Sequence, residues 1–274
     1  MFGFTVLGSG STGNAIVVTT PTARVLVDAG FSARRLGERL RQAGIEPSSL
    51  SAILLSHEHG DHTQGLETFC RQHGTPVICN RATQRVLADG LRTPPLWRLV
   101  ETGARFRIDE LDVTTFPVPH DAVDPMGFVL EWRGARLGIA TDLGYADAVV
   151  NQALRGIHAL ILEANYDQSL LEKDQKRPWP VKQRIASRHG HLSNLQAAEL
   201  VAALAPHGLT RVVLAHLSRD CNTPELAVRT VANALAPAVC HVHCATQEAL
   251  LGHFQVGPAR SDHPGPDDTG DSHS

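Results

Sequence analysis

The 274-residue sequence predicts an α/β domain whose sheets carry helices on their outer faces. Three observations predict it. Short runs rich in Val, Ile, Leu and Thr recur between glycines and prolines, the pattern of strands. Stretches with helical spacing of apolar residues separate several of these runs. The first half is mostly strand with short helices, whereas the second half alternates strand and helix.

Taken in order, residues 2–7 (FGFTVL), 15–20 (AIVVTT) and 24–27 (RVLV) are strands, because β-branched residues dominate and Gly, Pro or Thr bounds each run. Residues 33–43 (ARRLGERLRQA) have helical spacing and stop at Gly44, a C-cap residue type. Residues 52–55 (AILL) are a buried strand, and Thr63 or Asp61 caps a following helix through Phe69 to Gln72. Further strands are expected at 77–79, 111–117, 127–132, 136–140, 159–162, 211–215 and 239–243, and helices at 81–89, 145–154, 193–205 and 223–235. Residues 1–256 read as a single domain. The tail 257–274 (GPARSDHPGPDDTGDSHS) has almost nothing to bury and reads as disordered.

A hydrophobic fraction of 42% and a charged fraction of 19% are ordinary for a globular protein. The formal net charge of −3 gives no global attraction to nucleic acid or to an anionic membrane, and leaves room for a local basic patch. The five cysteines are scattered and include no C-x-x-C pair, so no disulfide framework is expected. The N-terminal stretch lacks a basic region followed by a long apolar one, and no run approaches a membrane span. A reducing, cytoplasmic setting with no membrane partner is the simplest expectation.

Chemistry concentrates in LLSHEHGDHTQG, residues 54–65, where His57, His59, Asp61 and His62 crowd together after an apolar run. With 15 histidines in the chain, roughly 0.003 copies of H-x-H-x-D-H would arise by chance. In extended backbone His57 and His59 share a face, and Asp61 and His62 follow where the chain must turn back. Neutral imidazole and carboxylate are ligands for zinc, manganese or iron. Four ligands this close suit two adjacent ions better than one, and the missing ligands should lie at other strand ends. Three apolar runs each deliver one such residue into a loop: His120 in TTFPVPHD, Asp142 in LGIATDLG and His216 in VVLAHLSRD. Alone, either histidine would be a surface or capping residue, and Asp142 a helix N-cap beyond Gly144. Together with HEHGDH they are candidate metal ligands.

These residues, in this order, resemble the metallo-β-lactamase-fold hydrolases, and Asp28 in VLVDAG matches the aspartate that the family places before its histidine motif. The resemblance covers about residues 2–245. LGSGSTGNAIVV, DAGFSARRL, FPVPHDAVDPMGF, RHGHLSN and AHLSRDCNTPELA narrow it to the YycJ/WalJ subgroup, which is related to the nuclease and phosphodiesterase branch. Cys221 departs from the Asn usual there. Asp rather than Cys at 142 argues against a true β-lactamase, and TQG after Asp61-His62, without a glycine pair, argues against a glyoxalase.

The resemblance implies a four-layer αβ/βα sandwich, an α/β (α+β) fold of two mixed sheets with metals at one edge between them. It implies a first ion on His57, His59 and His120, a second on Asp61, His62 and His216, Asp142 bridging, and Asp28 orienting a ligand from behind. Two divalent ions, zinc above all and otherwise manganese or iron, can hold a hydroxide for in-line displacement at phosphorus. Asp61 is then the residue to accept a hydrogen bond from that water. The function expected is a phosphodiesterase or nuclease acting on nucleic acid, with DNA favoured over RNA.

RHGHLSN is the second informative stretch. His191 is a candidate phosphate binder or proton donor to the leaving group, with His189, Ser193 and Asn194 as substrate-binding candidates at a helix start. The competing reading is that Ser193 or Asn194 merely caps the 193–205 helix, and both roles are compatible. Residues 172–191 hold six Lys/Arg against two Asp/Glu, either a strip that tracks a nucleic-acid backbone or a solvated face. Trp179, between two prolines, either stacks on a base or pins the loop. A second basic cluster, Arg34, Arg35, Arg39 and Arg41, lies on the 33–43 helix. GSGSTGN is read as a tight hairpin in preference to a phosphate cradle. The competing functions are a thioester or lactone hydrolase on the same metal core, and a non-hydrolytic metal-binding or redox module.

Overall fold

The computed structural model describes residues 1–235 and 240–258. The expected disordered tail falls, from residue 259 on, outside the described residues, as does position 239 of the 239–243 strand. In chain order the first half contains β1 (Gly3–Gly8), β2 (Ala15–Thr19), β3 (Arg24–Val27), α1 (Ala33–Gln42), β4 (Ala52–Leu54), α2 (Gly60–Thr63), α3 (Leu66–His73), β5 (Val77–Cys79), α4 (Arg81–Ala88) and β6 (Trp97–Leu99). There follow β7 (Arg105–Ile108), β8 (Leu111–Pro117), β9 (Met126–Trp132), β10 (Ala135–Ala140), α5 (Ala148–Leu154), β11 (Ala159–Glu163), α6 (Gln168–Lys173), α7 (Trp179–Ile185), α8 (Asn194–Leu204), β12 (Arg211–Ala215), α9 (Pro224–Asn233), β13 (His241–Cys244) and β14 (Leu251–Gln255).

The strands form two sheets, ordered β14-β1-β2-β3-β4-β5-β6 and β13-β12-β11-β10-β9-β8-β7. Each is antiparallel at one end and parallel at the other: β3 to β6 in the first and β10 to β13 in the second run parallel. Side-chain alternation along each strand creates three apolar layers. Phe4, Val25 and Leu54 of the first sheet face Phe128, Ile139 and Ile161 of the second in the central layer. Leu26 and Ile53 point out against Leu36 of α1 and Phe69 of α3. Leu160 and Leu162 point out against Leu154 of α5 and Val201 of α8. The result is a helix–sheet–sheet–helix sandwich, as expected. Burial on both faces is why AILL and ALIL read as unbroken apolar runs.

Several local expectations are corrected. Neither Thr63 nor Asp61 caps a helix toward Gln72. A short α2 intervenes, the Thr63 hydroxyl donates back to the His59 carbonyl at 3.0 Å, and α3 starts after Gly65. The helix expected at 145–154 starts at Ala148, capped by Asp147, whose carboxylate accepts from the Val150 amide. β6, β7, β14, α6 and α7 were not foreseen. Four of these carry few buried residues and so lack a clear apolar period, and Pro178 and Pro180 bracket the start of α7. Among the described residues, no helix is long and apolar enough to cross a membrane.

Candidate metal centre

The parallel parts of both sheets point their carboxyl ends at one place, the position where open α/β sheets gather ligands. From the first sheet come Asp28 after β3 and the HEHGDH loop after β4. From the second come His120 after β8, Asp142 after β10, Glu163 at the end of β11 and His216 after β12. Asp28, Asp142 and His216 all take left-handed backbone, with φ of 61°, 54° and 55°. For a residue with a Cβ that conformation costs about 1–2 kcal/mol. Such strain is kept where surrounding structure over-determines it, and three cases meeting at one point mark that point as functional.

The HEHGDH loop is seated by its neighbours. Asp28 accepts the Ser56 amide at 2.9 Å, and its other oxygen lies 2.7 Å from His62 Nδ1, which leaves His62 Nε2 facing inward. Ser56 Oγ also lies 2.9 Å from His57 Nδ1. Gly30 lets the chain after Asp28 pass the loop, since a Cβ there would sit 1.7 Å from the Asp61 carbonyl oxygen. Asn14, at the end of the β1–β2 hairpin, sends Nδ2 to Asp61 Oδ2 at 3.3 Å, and Ser9 Oγ of the same hairpin accepts the His216 amide at 2.9 Å. GSGSTGN is thus a hairpin, as read, and the hairpin also braces the cluster.

The expected ligands converge. His57, His59 and His120 offer nitrogens within 4.8 Å of one another; so do the ligand atoms of Asp61, His62 and His216. Asp142 lies between the sets, 3.0 Å from His62 Nε2, 3.7 Å from His120 Nε2 and 3.5 Å from His216 Nδ1. His120 Nδ1 donates to the Gly190 carbonyl at 3.0 Å, so its Nε2, 3.3 Å from His59 Nδ1, is the nitrogen that faces the cluster. Within the cluster, two buried atoms have no hydrogen-bond partner: His57 Nε2, and Asp142 Oδ2, which is close to His62 but poorly aligned with it. Each orphan costs about 1–3 kcal/mol. A cation between them removes both penalties, so the residues present fit a divalent metal.

Protonation is consistent with that fit. Burial pushes His57 and His120 below the usual imidazole value, leaving them neutral and ready to ligate. Burial also opposes charge on His62 and His216, but Asp142, with Asp28 for His62 and Asp61 and Glu163 for His216, outweighs it and holds both well above that value. Burial likewise opposes charge on Asp142 and Asp61, yet the surrounding imidazoles keep both carboxylates well below their ordinary range.

Glu163 was missed. It is fully buried, and its Oε1 lies 2.7 Å from His216 Nδ1 and 2.8 Å from His191 Nδ1. Its Oε2 accepts the amides of Leu143 at 2.8 Å and Leu192 at 3.0 Å. The signal was available, because ALILE followed by Ala-Asn repeats the pattern of an apolar strand ending in one ligand-type residue. His191 joins the site, with its ring centroid 5.2 Å from that of His120 and 5.3 Å from that of His216. Its companions do not. His189 is exposed and lines a separate hollow with Tyr145 and Arg188. Ser193 forms a capping box with Gln196, and the Asn194 side chain exchanges hydrogen bonds with that of Asn222 at 2.9 and 2.8 Å. Ser193 thus caps α8, and Asn194 is tied to Asn222. The cluster opens into a hollow of about 210 Å³ bordered by Ser11, His59, Asp61, His191, Arg177 and Arg184.

A family profile described as the beta-lactamase superfamily domain matches residues 23–217, a span that holds every member of the cluster from Asp28 to His216. The chain belongs to the metallo-β-lactamase-fold superfamily. Within it the chain is YycJ/WalJ-like. It is 34% identical over 234 residues to exodeoxyribonuclease YycJ of Bacillus anthracis, covering 85% of this chain and 88% of that one. It is 32% identical over 241 residues to exodeoxyribonuclease WalJ of Streptococcus pneumoniae, covering 86% and 89%. Among solved structures, the metallo-β-lactamase fold protein YhfI of Bacillus subtilis superposes with a TM-score of 0.71 at 14% identity, covering 92% of this chain and all of that one. The superfamily's helix–sheet–sheet–helix sandwich is the architecture described above, with the cluster at its ligand edge.

Proposed function

We propose that this metallo-β-lactamase-fold chain is a metal-dependent nuclease that hydrolyses DNA phosphodiesters from strand ends with two divalent ions. The observation that carries the reading is the convergence of nine ligand-type side chains, with His191 at the rim on the shared carboxylate of Glu163. Its similarity to two exodeoxyribonucleases over most of both chains supports DNA as the substrate.

His57, His59 and His120 would hold one ion and Asp61, His62 and His216 the other, with Asp142 serving both. An imidazole and carboxylate set without thiolate suits zinc, and also manganese or iron. Bound there, the ions supply Lewis-acid charge to a phosphoryl oxygen and acidify water. Asp61, kept ionised and held by Asn14 and His216, accepts a hydrogen bond from the attacking water. Burial opposes charge on His191, but Glu163 raises its pKa above the usual value and occupies Nδ1, so Nε2 carries a proton for the departing oxygen. Asp28 keeps His62 in the required tautomer.

The test is end-labelled single- and double-stranded DNA and RNA, a bis-aryl phosphodiester and an acyl thioester, each assayed with zinc or manganese. Stepwise shortening of DNA is expected. Thioester turnover without phosphodiester turnover would instead place the chain among acyl hydrolases.

A further inference from the structure

The β1–β2 connection holds a four-residue turn, Gly10 to Gly13, closed by the Gly13 amide donating to the Gly10 carbonyl at 3.2 Å. Two buried side chains fix this turn from either side. Asn14 Oδ1 accepts the Gly10 amide at 3.0 Å, and Asn14 Nδ2 donates to the Gly10 carbonyl at 3.1 Å. Gln247 Oε1 accepts both the amide and the hydroxyl of Thr12 at 3.0 Å, and Gln247 Nε2 donates to the Gly13 carbonyl at 2.7 Å. Gln247 is braced in turn by the basic cluster of α1. Arg39, buried and stacked on Phe31, donates to the carbonyls of Leu7, Gln247 and Glu248, and Arg35 donates to that of Gln247. Those guanidiniums are spent on carbonyls and hold the turn from behind. At Gly13 there is no slack, since a Cβ would sit 2.7 Å from the Gly30 carbonyl oxygen.

Ser11 is the exception in this turn. It is exposed and borders the same hollow as His59, Asp61 and His191. The second N–H of a β-turn takes no part in closing it. Among the described residues, neither that N–H nor the Ser11 hydroxyl has a protein partner. The cations on the rim are differently placed: Arg177 is matched by Asp174 at 2.8 Å and Asp220 at 3.0 Å, and Arg184 by Asp121. Ser11 therefore offers a pair of uncommitted donors beside the metal ligands, on a turn that is rigid before any ligand arrives. A preorganised donor pair loses little entropy on binding and is worth most where negative charge gathers.

We infer that Ser11 contacts the substrate, its N–H and hydroxyl together holding a non-bridging phosphate oxygen in the hollow. A phosphoryl group spreads its charge over oxygens that an acyl group lacks, so the hairpin that braces the ligands also favours phosphate esters over acyl esters. The inference deepens the nuclease reading and rests on it for the phosphate.

The experiment is calorimetric titration of inorganic phosphate into the zinc-loaded full chain, with zinc content and Tm measured on every variant. Ser11→Ala should bind phosphate roughly tenfold more weakly, the size of one hydrogen bond to a charged acceptor. Ser11→Thr keeps the hydroxyl and should bind within about twofold of wild type. Ser11→Pro lacks the N–H as well, at a turn position that proline favours, and should lose roughly another tenfold. Zinc content and Tm should stay at the wild-type values throughout, which separates a lost contact from a damaged site. Wild-type phosphate affinity in Ser11→Ala would overturn the inference. So would a Thr variant as weak as the Ala one, a Pro variant no weaker than it, or wild-type protein that takes up no phosphate. Cleavage of end-labelled DNA, followed in parallel, keeps the two readings apart. DNA cutting by wild type, with Ser11→Ala binding phosphate equally well, sinks the Ser11 contact alone. Phosphate binding that depends on Ser11, in a chain that cuts no DNA, sinks the nuclease reading and leaves the contact standing.

Discussion

The two sheets supply the metal cluster in opposite ways. The first delivers His57, His59, Asp61 and His62 in one burst from a single loop, braced by Asp28 one strand away. The second delivers one residue per strand end, His120, Asp142, Glu163 and His216, spread over nearly a hundred positions. The first half of the site is therefore a local object that short-range geometry can assemble. The second half exists only when β8 to β12 are aligned in register, and two of its residues, Asp142 and His216, sit in left-handed backbone that the sheet has to enforce. The contrast teaches that the burst is a cup of three imidazoles and Asp61 from one loop, while the dispersed half supplies Asp142 and the buried Glu163 charge that orients His191 and His216.

The strongest way to break that contrast is Asp142→Ala. It removes the one carboxylate near both ligand sets, and nuclease turnover should fall about a thousandfold, equivalent to some 4 kcal/mol of barrier. Elemental analysis should find fewer ions per folded chain. Full activity with full metal content would show that the two halves work without a bridge.

Glu163→Gln comes next, with a loss of roughly 10–100-fold in kcat. It also tests the division of labour by pH. The Glu163 carboxylate raises the His191 pKa, so a step that needs His191 protonated fails as pH climbs through that raised value. Removing the charge should move this basic limb to lower pH, and an unmoved limb would take the proton-donor role away from His191. On the other side of the contrast, Asp28→Asn loosens His62 and the Ser56 contact that seats His57. It should weaken metal binding by about tenfold, read by competition with a chelating dye, with kcat restored at high metal.

Metal uptake itself should release protons. His62 and His216 are held protonated in the metal-free chain above the usual imidazole pKa, and a cation must displace those protons. Affinity should therefore rise as pH goes from 6 to 8, with acidification on zinc addition in weak buffer. The smallest effect is expected outside the cluster. Ser193→Ala should cost about 1 kcal/mol of stability through the lost cap and leave kcat unchanged. A kcat drop there would return Ser193 to the substrate.

Legibility followed the same division. HEHGDH announced itself because its ligands lie within six positions. His120, Asp142 and His216 were found because each follows an apolar run, and Glu163, which directly follows the expected 159–162 strand and closes the observed one, carried the same signal and was passed over. His189 sits two residues from His191 and yet faces elsewhere, since Gly190, buried between them, lets the chain turn against the Arg184 and Ile185 carbonyls. β6 and β7 were invisible because an edge strand with one solvated face carries too few apolar residues to show a period.

By itself, then, the order of residues determined the layered α/β architecture and most of the metal ligands, because burial on two faces and ligand chemistry both leave local patterns in a chain. Tertiary structure alone decided which strand ends meet and which guanidiniums are held by carbonyls and which border the hollow. It also decided that Glu163 serves two histidines at once. Those choices depend on distances between segments far apart in sequence, and no local pattern encodes them.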